Sequence, residues 1–259
     1  MTTGRTNPKW LRTYVDGLDI SGVARQVGGY GVKFTDALDA AYADNVQNTL
    51  LGRGKMNCGP INAFLSPAAA PTGLHELASS GIGTRHVMIA QGILGEPTQG
   101  DPCFAWIFEQ GGYEVAQSAD FVAVNVTLPD ASAGGILSYA KPFGFLLHGK
   151  VAETAVNTSA GVDDNGASAS ALGGIFAWQL FSSDGTVTLK AQDATASNLN
   201  ASFADISGAT SGSIDATTTP QSGMVALGST AAVRKYIRWQ LVFGTATTAT
   251  FACMFIRQL

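Results

Sequence analysis

Residues 121–128 read FVAVNVTL, and this stretch decides the class of fold. Its large apolar residues recur at every second position, namely Val122, Val124, Val126 and Leu128. Asn125 and Thr127 lie between them. Side chains alternate between the two faces of a β-strand, so this period of two predicts a strand with one buried face and one polar face.

Working outward from this stretch, the same pattern recurs along the first part of the chain. Strands are predicted at Trp10–Val15, around Val32 and Phe34, and at 55–65, 85–91 (RHVMIAQ) and 103–110 (CFAWIFEQ). Asp16-Gly17 and Gly28-Gly29 are turn signals between them. We therefore predict a mainly β chain.

Two segments favour helices instead. Residues 36–51 (DALDAAYADNVQNTLL) are rich in alanine and have apolar residues at helical spacing. Thr35 or Asp36 would cap this helix, and Gly52 would end it. Residues 73–80 (GLHELASS) predict a second, short helix that ends at Gly81. The expected fold of the first part thus includes one or two short helices.

The second half of the chain begins with a low-complexity stretch. Residues 152–173 (AETAVNTSAGVDDNGASASALG) are too small and polar to build a core, which predicts a linker or a long loop. Strands are predicted at 174–182, 187–193, 233–243 and 248–258, with a hairpin turn at Asp184-Gly185 and a polar span at 194–222. The organisation is therefore a β domain at 1–151, a linker at 152–173 and a C-terminal β-sandwich at 174–259.

Composition argues against several classes of protein. The 259 residues carry 15 Lys and Arg against 19 Asp and Glu, so the net charge of −4 gives no basic footprint for nucleic acid. Only 13% of residues are charged, which fits a surface largely covered by neighbours or one rich in Ser, Thr and Ala. The segment MTTGRTNPKW has no signal-peptide core, and no run of about 18 apolar residues predicts a membrane span. Cys58, Cys103 and Cys253 are too scattered for a disulfide framework or a zinc site.

Candidate chemical groups are also scattered. His75, His86 and His148 lack the spacing of a metal motif, so structural histidines are expected. Carboxylates are more frequent near the N-terminus, at Asp19, Asp36, Asp39 and Asp44, without a calcium-loop pattern. Asp163-Asp164-Asn165-Gly166 carries oxygen ligands but reads more simply as a turn. We predict no catalytic, cofactor-binding or metal residues and no cofactor.

Motifs for a serine nucleophile, for phosphate binding and for nucleic-acid binding are also incomplete. The nucleophile elbow G-x-S-x-G does not occur, and the glycine-rich stretches VGGYG and EQGGYE lack the lysine and helix of a phosphate loop. One strand combines basic and aromatic residues, namely Arg234, Lys235, Arg238 and Trp239. Alternation would split these residues between two faces, so a solvated strand edge is expected rather than a nucleic-acid site.

One resemblance to a known family runs through most of the chain. Residues 10–128 resemble the major tail (tail tube) proteins of long-tailed bacteriophages, and the order of their segments carries the likeness. These are DISG (19–22), FTDALDAAYADNVQNTLLG (34–52), INAFL (61–65), GLHELASS (73–80), RHVMIAQG (85–92) and GDPCFAWIFEQGGYEVAQSADFVAVNVTL (100–128). The stretches VTLKAQDA and VRKYIRWQLVFGTATTATF resemble the outer β-sandwich domains that such proteins often carry.

The resemblance implies a fold and an assembly. The fold would be a tail-tube-type β-sandwich or barrel with one or two short helices, followed by an Ig-like or jelly-roll-like C-terminal sandwich. Six copies would join edge to edge in each ring, as in this family, and the rings would stack into a conduit for DNA ejection. The implied partners are other copies and the tape measure, terminator and distal tail proteins, in a virion tail assembled in the host bacterial cytoplasm.

Further expectations follow from this implied assembly. DNA would pass through the lumen without specific binding, which suits a mildly acidic chain. The segment 36–60, with Arg53 and Lys55, is expected to contact a neighbouring ring or subunit.

Two other classes of function stay open at this point. A virion surface, decoration or other tail protein would bind host glycans through its C-terminal sandwich, and an exposed aromatic platform would mark it. Trp178 and Trp239 are candidates, but their apolar strands favour core packing. An enzyme such as a hydrolase would need one of the three histidines to meet a nucleophile, which the spacing does not support.

Overall fold

The computed structural model describes residues 8–39, 48–65, 74–79, 81, 83–117, 120–129, 143–157, 160–163, 170–195 and 200–258. Strands dominate these residues, which confirms the predicted mainly β class. The elements in chain order are β1 (Leu11–Val15), β2 (Leu18–Asp19), β3 (Ala24–Val27), β4 (Tyr30–Asp39), β5 (Asn48–Phe64), α1 (Leu74–Ser79), β6 (Thr84–Gln91), β7 (Pro102–Glu109), β8 (Gly112–Gln117), β9 (Val122–Leu128), β10 (Phe143–Glu153), β11 (Val162–Asp163), β12 (Gly174–Ser183), β13 (Thr186–Ala194), β14 (Ala204–Asp215), β15 (Gln221–Ala226), β16 (Tyr236–Phe243) and β17 (Ala249–Arg257). Single 3₁₀ turns lie at Pro8–Trp10 and Asn200–Ser202.

The largest sheet has eight strands in the order β15-β12-β17-β10-β7-β6-β1-β2. A tight turn joins β1 to β2, and its central residues Asp16 and Gly17 both have positive φ. This turn at one end of the sheet meets strands at the other end, because Gly17 N–H donates to the Gln179 side chain on β12 (2.5 Å). Ser222 on β15 also donates to Asp16 (3.4 Å). The sheet is therefore curled, and side-chain hydrogen bonds tie its two ends together.

A second sheet has five strands, with the path β3-β5-β9-β8 and with β4 also paired to β5. β3 and β4 pair with the same strand in the same sense, so the chain does not reverse at Gly28-Gly29. Instead the backbone crosses close to β5 there, and a Cβ on Gly28 would lie 2.5 Å from the Cα of Gly59. Glycine at both positions permits this approach.

The third sheet has four strands in the order β11-β16-β13-β14. Its edge strand β14 has two register shifts against β13 and positive φ at Gly208 and Gly212. β14 also contacts β12 and β15 of the eight-stranded sheet. The opposite edge strand, β11, has two residues.

The eight-stranded sheet contributes to two hydrophobic cores, one on each face. Ile175 and Ala177 on β12 join the core shared with the five-stranded sheet. Phe176 and Trp178 point into the core shared with the four-stranded sheet. Burial on both faces explains why GIFAW and FACMFI are continuous apolar runs rather than alternating ones.

Most predicted strands are confirmed, and α1 confirms the short helix at 73–80. β9 has the expected alternation, because Val124, Val126 and Leu128 are buried and Thr127 is exposed. The predicted helix at 36–51 is wrong. Residues 36–39 end β4 and residues 48–51 begin β5, paired from Asp36↔Leu51 to Asp39↔Asn48. Residues 40–47 lie outside the described residues. Pairing between strands has overridden a local preference for helix, which is a weak prior.

The hairpin predicted at Asp184-Gly185 is also wrong. β12 pairs with β15 and β17, whereas β13 pairs with β14 and β16, so this turn leads from one sheet to another. The polar span at 194–222 contains β14 and the start of β15. Its strand pattern was missed because the two shifts in β14 interrupt the period of two.

The segment 152–173 includes the end of β10 and all of β11, with residues 158–159 and 164–169 outside the described part. β10 pairs with β7 on one side and with β17 on the other, so the eight-stranded sheet takes strands from both predicted domains. The division into domains at this segment stays a prediction.

Candidate functional site

The three histidines lie in three separate places. His75 on α1 contacts the Tyr113 hydroxyl on β8 through Nδ1. His86 is on β6, and His148 is buried on β10. Within the described ranges, no group of three or more His, Cys, Asp or Glu side chains is arranged to hold a metal ion.

His86 is the histidine that meets a hydroxyl and a carboxylate. Its Nδ1 lies 3.1 Å from Ser222 Oγ and 3.7 Å from Asp16 Oδ1. A catalytic triad needs the nucleophile and the acid on opposite ring nitrogens, whereas both groups approach the same nitrogen here. Asp16 also accepts hydrogen bonds from the His86 backbone N–H (2.8 Å) and from Arg85 (3.2 Å). The arrangement ties the ends of the curled sheet together and does not form a proton relay.

His148 has a structural environment between two layers. Its ring stacks on Phe251 at 4.2 Å between centroids and meets Trp239 edge-on at 4.5 Å. Nδ1 lies 3.2 Å from the Phe251 carbonyl oxygen, and Nε2 lies 2.9 Å from a Glu153 carboxylate oxygen. Both nitrogens thus face acceptors, and the ring links the eight-stranded sheet to β16.

Among the carboxylates Asp19, Asp36, Asp39 and Asp44, Asp19 is the one whose side chain the structure describes. Asp19 forms an ion pair with Lys150 on β10 (2.8 Å) and accepts hydrogen bonds from Ser21. Burial acts to raise the pKa of Asp19, but these hydrogen bonds outweigh it and hold the pKa below its usual value. Asp36 and Asp39 are strand residues of β4, and Asp44 lies outside the described residues.

Among the loop carboxylates, Asp184 has a local role. Asp163 belongs to β11, and residues 164–166 are not described. Asp184 accepts hydrogen bonds from the backbone N–H groups of Thr247 (2.8 Å) and Thr248 (2.9 Å). Together with the Thr247 hydroxyl, these bonds lower the pKa of Asp184 to about 2.

The predicted basic-aromatic strand is split between two faces, as alternation required. Trp239 packs in a core, whereas Arg238 lies on the other face, stacked on Phe203 at 4.2 Å. Arg238 is 4% exposed, so the expectation of a solvated edge is wrong at this residue. Trp178 and Trp239 are both buried, which confirms the expected core packing and removes them as a glycan platform.

The three cysteines are buried free thiols. Desolvation raises the pKa of Cys58 to about 12, and it also raises the pKa values of Cys103 and Cys253. Because the thiolate is the reactive form, these residues behave as core side chains.

The sheet edges are the candidate functional surface. In the five-stranded sheet, β8 packs chiefly against β9, and β3 packs chiefly against β5. β8 pairs with β9 over six residues without a register shift, and its last four residues are exposed. Near β3, Arg25 lies 4.2 Å from the ring centroid of Phe121 and 5.3 Å from that of Phe64, which is 42% exposed. Strand edges carry unpaired backbone groups that readily accept another strand.

Sequence reasoning did not single out these edge residues. Nothing in GYEVAQ or ARQV distinguishes an edge strand from a central one, because edge position depends on pairing between distant segments.

No protein-family model matches the chain, and no curated protein matches it. Among solved structures, the chain is similar to the crystal structure of the SPP1 Dit (gp 19.1) protein, described as a paradigm of the hub adsorption apparatus in Gram-positive infecting phages. The two chains are 10% identical, the TM-score is 0.32, and the match covers 96% of this chain and 99% of that one. A TM-score this low does not establish a shared fold, so the match assigns this chain neither a fold nor a role.

Across the described ranges, no helix has the length and apolar character that a membrane crossing requires.

Proposed function

We propose that this protein is a structural subunit of a bacteriophage tail tube, which polymerises as stacked rings around a conduit for DNA. The observation that carries the proposal is the five-stranded sheet, whose edge strands β3 and β8 each pair with a single strand among the residues that the structure describes. A sheet that can continue into a neighbour on both sides through head-to-tail contacts builds a ring when the rotation from copy to copy closes. The resemblance of residues 10–128 to tail tube proteins points in the same direction.

The other two sheets offer less for such an assembly. The ends of the eight-stranded sheet abut through Gly17 and Gln179. The four-stranded sheet ends in the two-residue β11 on one side and in the bulged β14 on the other. Bulges and very short edge strands are the usual protections against edge-to-edge pairing. In the five-stranded sheet β3 is also short and has one register shift, whereas β8 pairs over six residues without a shift. The contrast therefore rests on β8, and it favours the five-stranded sheet as the wall that continues from copy to copy.

A second feature suits stacked rings. β4 and the first ten residues of β5 form a two-stranded ribbon, because β5 gains its β9 partner only from Cys58 onward. An isolated pair of strands is marginally stable in water, so such a ribbon is expected to pack on a neighbour. The segment 36–60 therefore keeps its proposed role in contacting an adjacent ring or subunit, and its described residues, 36–39 and 48–60, are strand rather than helix.

The remaining parts of the proposal come from the resemblance. Six copies would form each ring, the tube would meet tape measure, terminator and distal tail proteins, and DNA would pass without specific binding. The location would be the tail of the virion. The protein would act through assembly rather than catalysis.

Negative-stain electron microscopy with light scattering, at rising protein concentration, tests the proposal. Rings or tubes with a central hole are expected. Val115→Lys places a charge on the exposed edge strand β8 and should prevent assembly, because edge lysines block strand addition. Val242→Lys is the matched control, since Val242 is also an exposed strand valine but lies in the four-stranded sheet. A wild-type protein that stays monomeric or trimeric at every concentration would contradict the proposal and favour the surface-binding alternative.

A further inference from the structure

The two edge strands of the five-stranded sheet carry opposite charges. β3 (ARQV) contains one charged residue, Arg25, and β8 (GYEVAQ) contains one, Glu114. Both side chains are exposed. Neither forms an ion pair with any residue in the described part of the chain.

Glu114 lies on the outer face of the sheet, and Arg25 lies at the sheet edge, where it contacts outer-face aromatic rings and also lines a cleft beside β3. Arg25 stacks over Phe64, which follows buried Ala63 on β5 and therefore points away from the core. Glu114 is opposite Asn125, which lies between the buried residues Val124 and Val126 on β9. The shift in register between Ala24 and Gln26 occurs at Arg25, and a bulge of this kind re-aims a side chain.

The directions of the strands fix how two copies would meet. Every neighbouring pair along β3-β5-β9-β8 is antiparallel, so β3 and β8 run in opposite directions. A rotation about an axis along the strands preserves these directions. The β8 strand of one copy would therefore meet the β3 strand of the next copy in the antiparallel sense that the rest of the sheet already has.

On the core side of the sheet, the surfaces of β3 and β8 that would meet between two copies are also complementary. A cleft of about 470 Å³ lies beside β3, and Arg25 is one of its lining residues. Leu11, Val27 and Tyr30 also line it and pack against the core. On β8, Val115 pairs with buried Val124 and so faces inward, yet it is 52% exposed. A neighbouring β8 would bring this valine to the cleft and cover it.

We infer that the partner of the β3 edge is a second copy of this chain, whose β8 adds to the sheet with Glu114 forming an ion pair with Arg25. The inference rests on the proposed function and specifies its contact. The contact joins two different surfaces of identical copies, so it repeats around a ring. The charge pair sets which edges meet and in which order, since like charges across a contact are costly.

Charge reversal tests this contact. Arg25→Glu alone and Glu114→Arg alone each place like charges across every junction, and each should raise the protein concentration needed for half-maximal assembly about tenfold or more. The double variant Arg25→Glu/Glu114→Arg restores the pair and should assemble within about threefold of wild type. Asp215→Arg reverses an exposed charge on β14 and should leave assembly unchanged.

Mixing the two single variants is the most specific test of the Arg25–Glu114 pair. One variant carries only glutamates at the junction and the other only arginines, so alternating copies pair correctly at every contact. An equimolar mixture should therefore assemble at concentrations at which neither variant assembles alone. Circular dichroism and thermal unfolding of each variant confirm that all are folded.

The outcomes separate the two proposals. If wild type forms rings but the single reversals do so equally well, or if folded variants fail in the mixture, the Arg25–Glu114 contact is wrong and the tube proposal stands. If wild type forms no rings or tubes, both fail.

Discussion

Replacing Gln179 with methionine should destabilise the protein substantially, because this side chain bridges the two ends of the curled sheet. Gln179 is 1% exposed on β12. Its amide oxygen accepts a hydrogen bond from Gly17 N–H (2.5 Å), and its amide nitrogen donates to the His86 carbonyl oxygen (3.0 Å). Methionine has a similar length and makes neither bond, so the change in the free energy of unfolding reports mainly on these two hydrogen bonds.

The magnitude follows from what each partner loses. The buried Gly17 N–H would be left without its acceptor, which costs about 1–3 kcal/mol. The His86 carbonyl keeps a hydrogen bond from Asp16 N–H (3.1 Å), so its loss is nearer to about 1 kcal/mol. The sum is about 2–4 kcal/mol. At roughly 2–4 °C per kcal/mol for a chain of this size, Tm should fall by roughly 5–15 °C.

Urea unfolding followed by tryptophan fluorescence and circular dichroism measures this loss. Gln117→Met is the matched control, because Gln117 is exposed at the end of β8 and should change stability by less than about 0.5 kcal/mol. If Gln179→Met loses no more stability than Gln117→Met, the bridge does not hold the ends of the sheet together and the reasoning is refuted.

Two further substitutions test local features of the fold. Gly28→Ala places a Cβ 2.5 Å from the backbone of Gly59 and should lower the free energy of unfolding by about 1–3 kcal/mol. Gly22→Ala is the control, because a Cβ there has nothing within 4 Å and should change stability little. Equal shifts in Tm for the two variants would contradict this prediction. For Asp19, burial raises the pKa but hydrogen bonds led by that from Lys150 lower it overall, so the folded pKa lies below the unfolded one. The stabilising effect of ionised Asp19 is complete above the unfolded pKa of about 3.9 and is lost as pH falls through the folded pKa. Asp19→Asn should therefore lower the free energy of unfolding at pH 7 and lower it progressively less in acid. A difference in stability that is the same at all pH values would contradict this prediction.

Local patterns predicted the strands whose burial is simple. The core shared with the five-stranded sheet contains apolar residues of 121–128 and of 85–91. Both segments have a recognisable apolar pattern, and both are strands in the structure. The runs GIFAWQL and FACMFI were also recognised as strands, although their burial on both faces hides any alternation.

Pairing between strands that are distant in the chain could not be predicted from local sequence patterns. The helix predicted at 36–51 matched helical spacing, yet the ladder between β4 and β5 decides its structure. Asp184-Gly185 has the residues of a hairpin turn, but the strands it joins belong to different sheets. The proposed contact could not be predicted from the sequence for the same reason. Arg25 and Glu114 can pair between copies only because β3 and β8 are the two edges of one sheet.

A cryo-electron microscopy reconstruction of the assembled protein tests the central claim most directly. The account predicts rings in which the five-stranded sheet runs without interruption from β8 of one copy into β3 of the next, antiparallel, around a central hole. Assemblies in which both edges face solvent, or in which copies join through the four-stranded sheet, would contradict it.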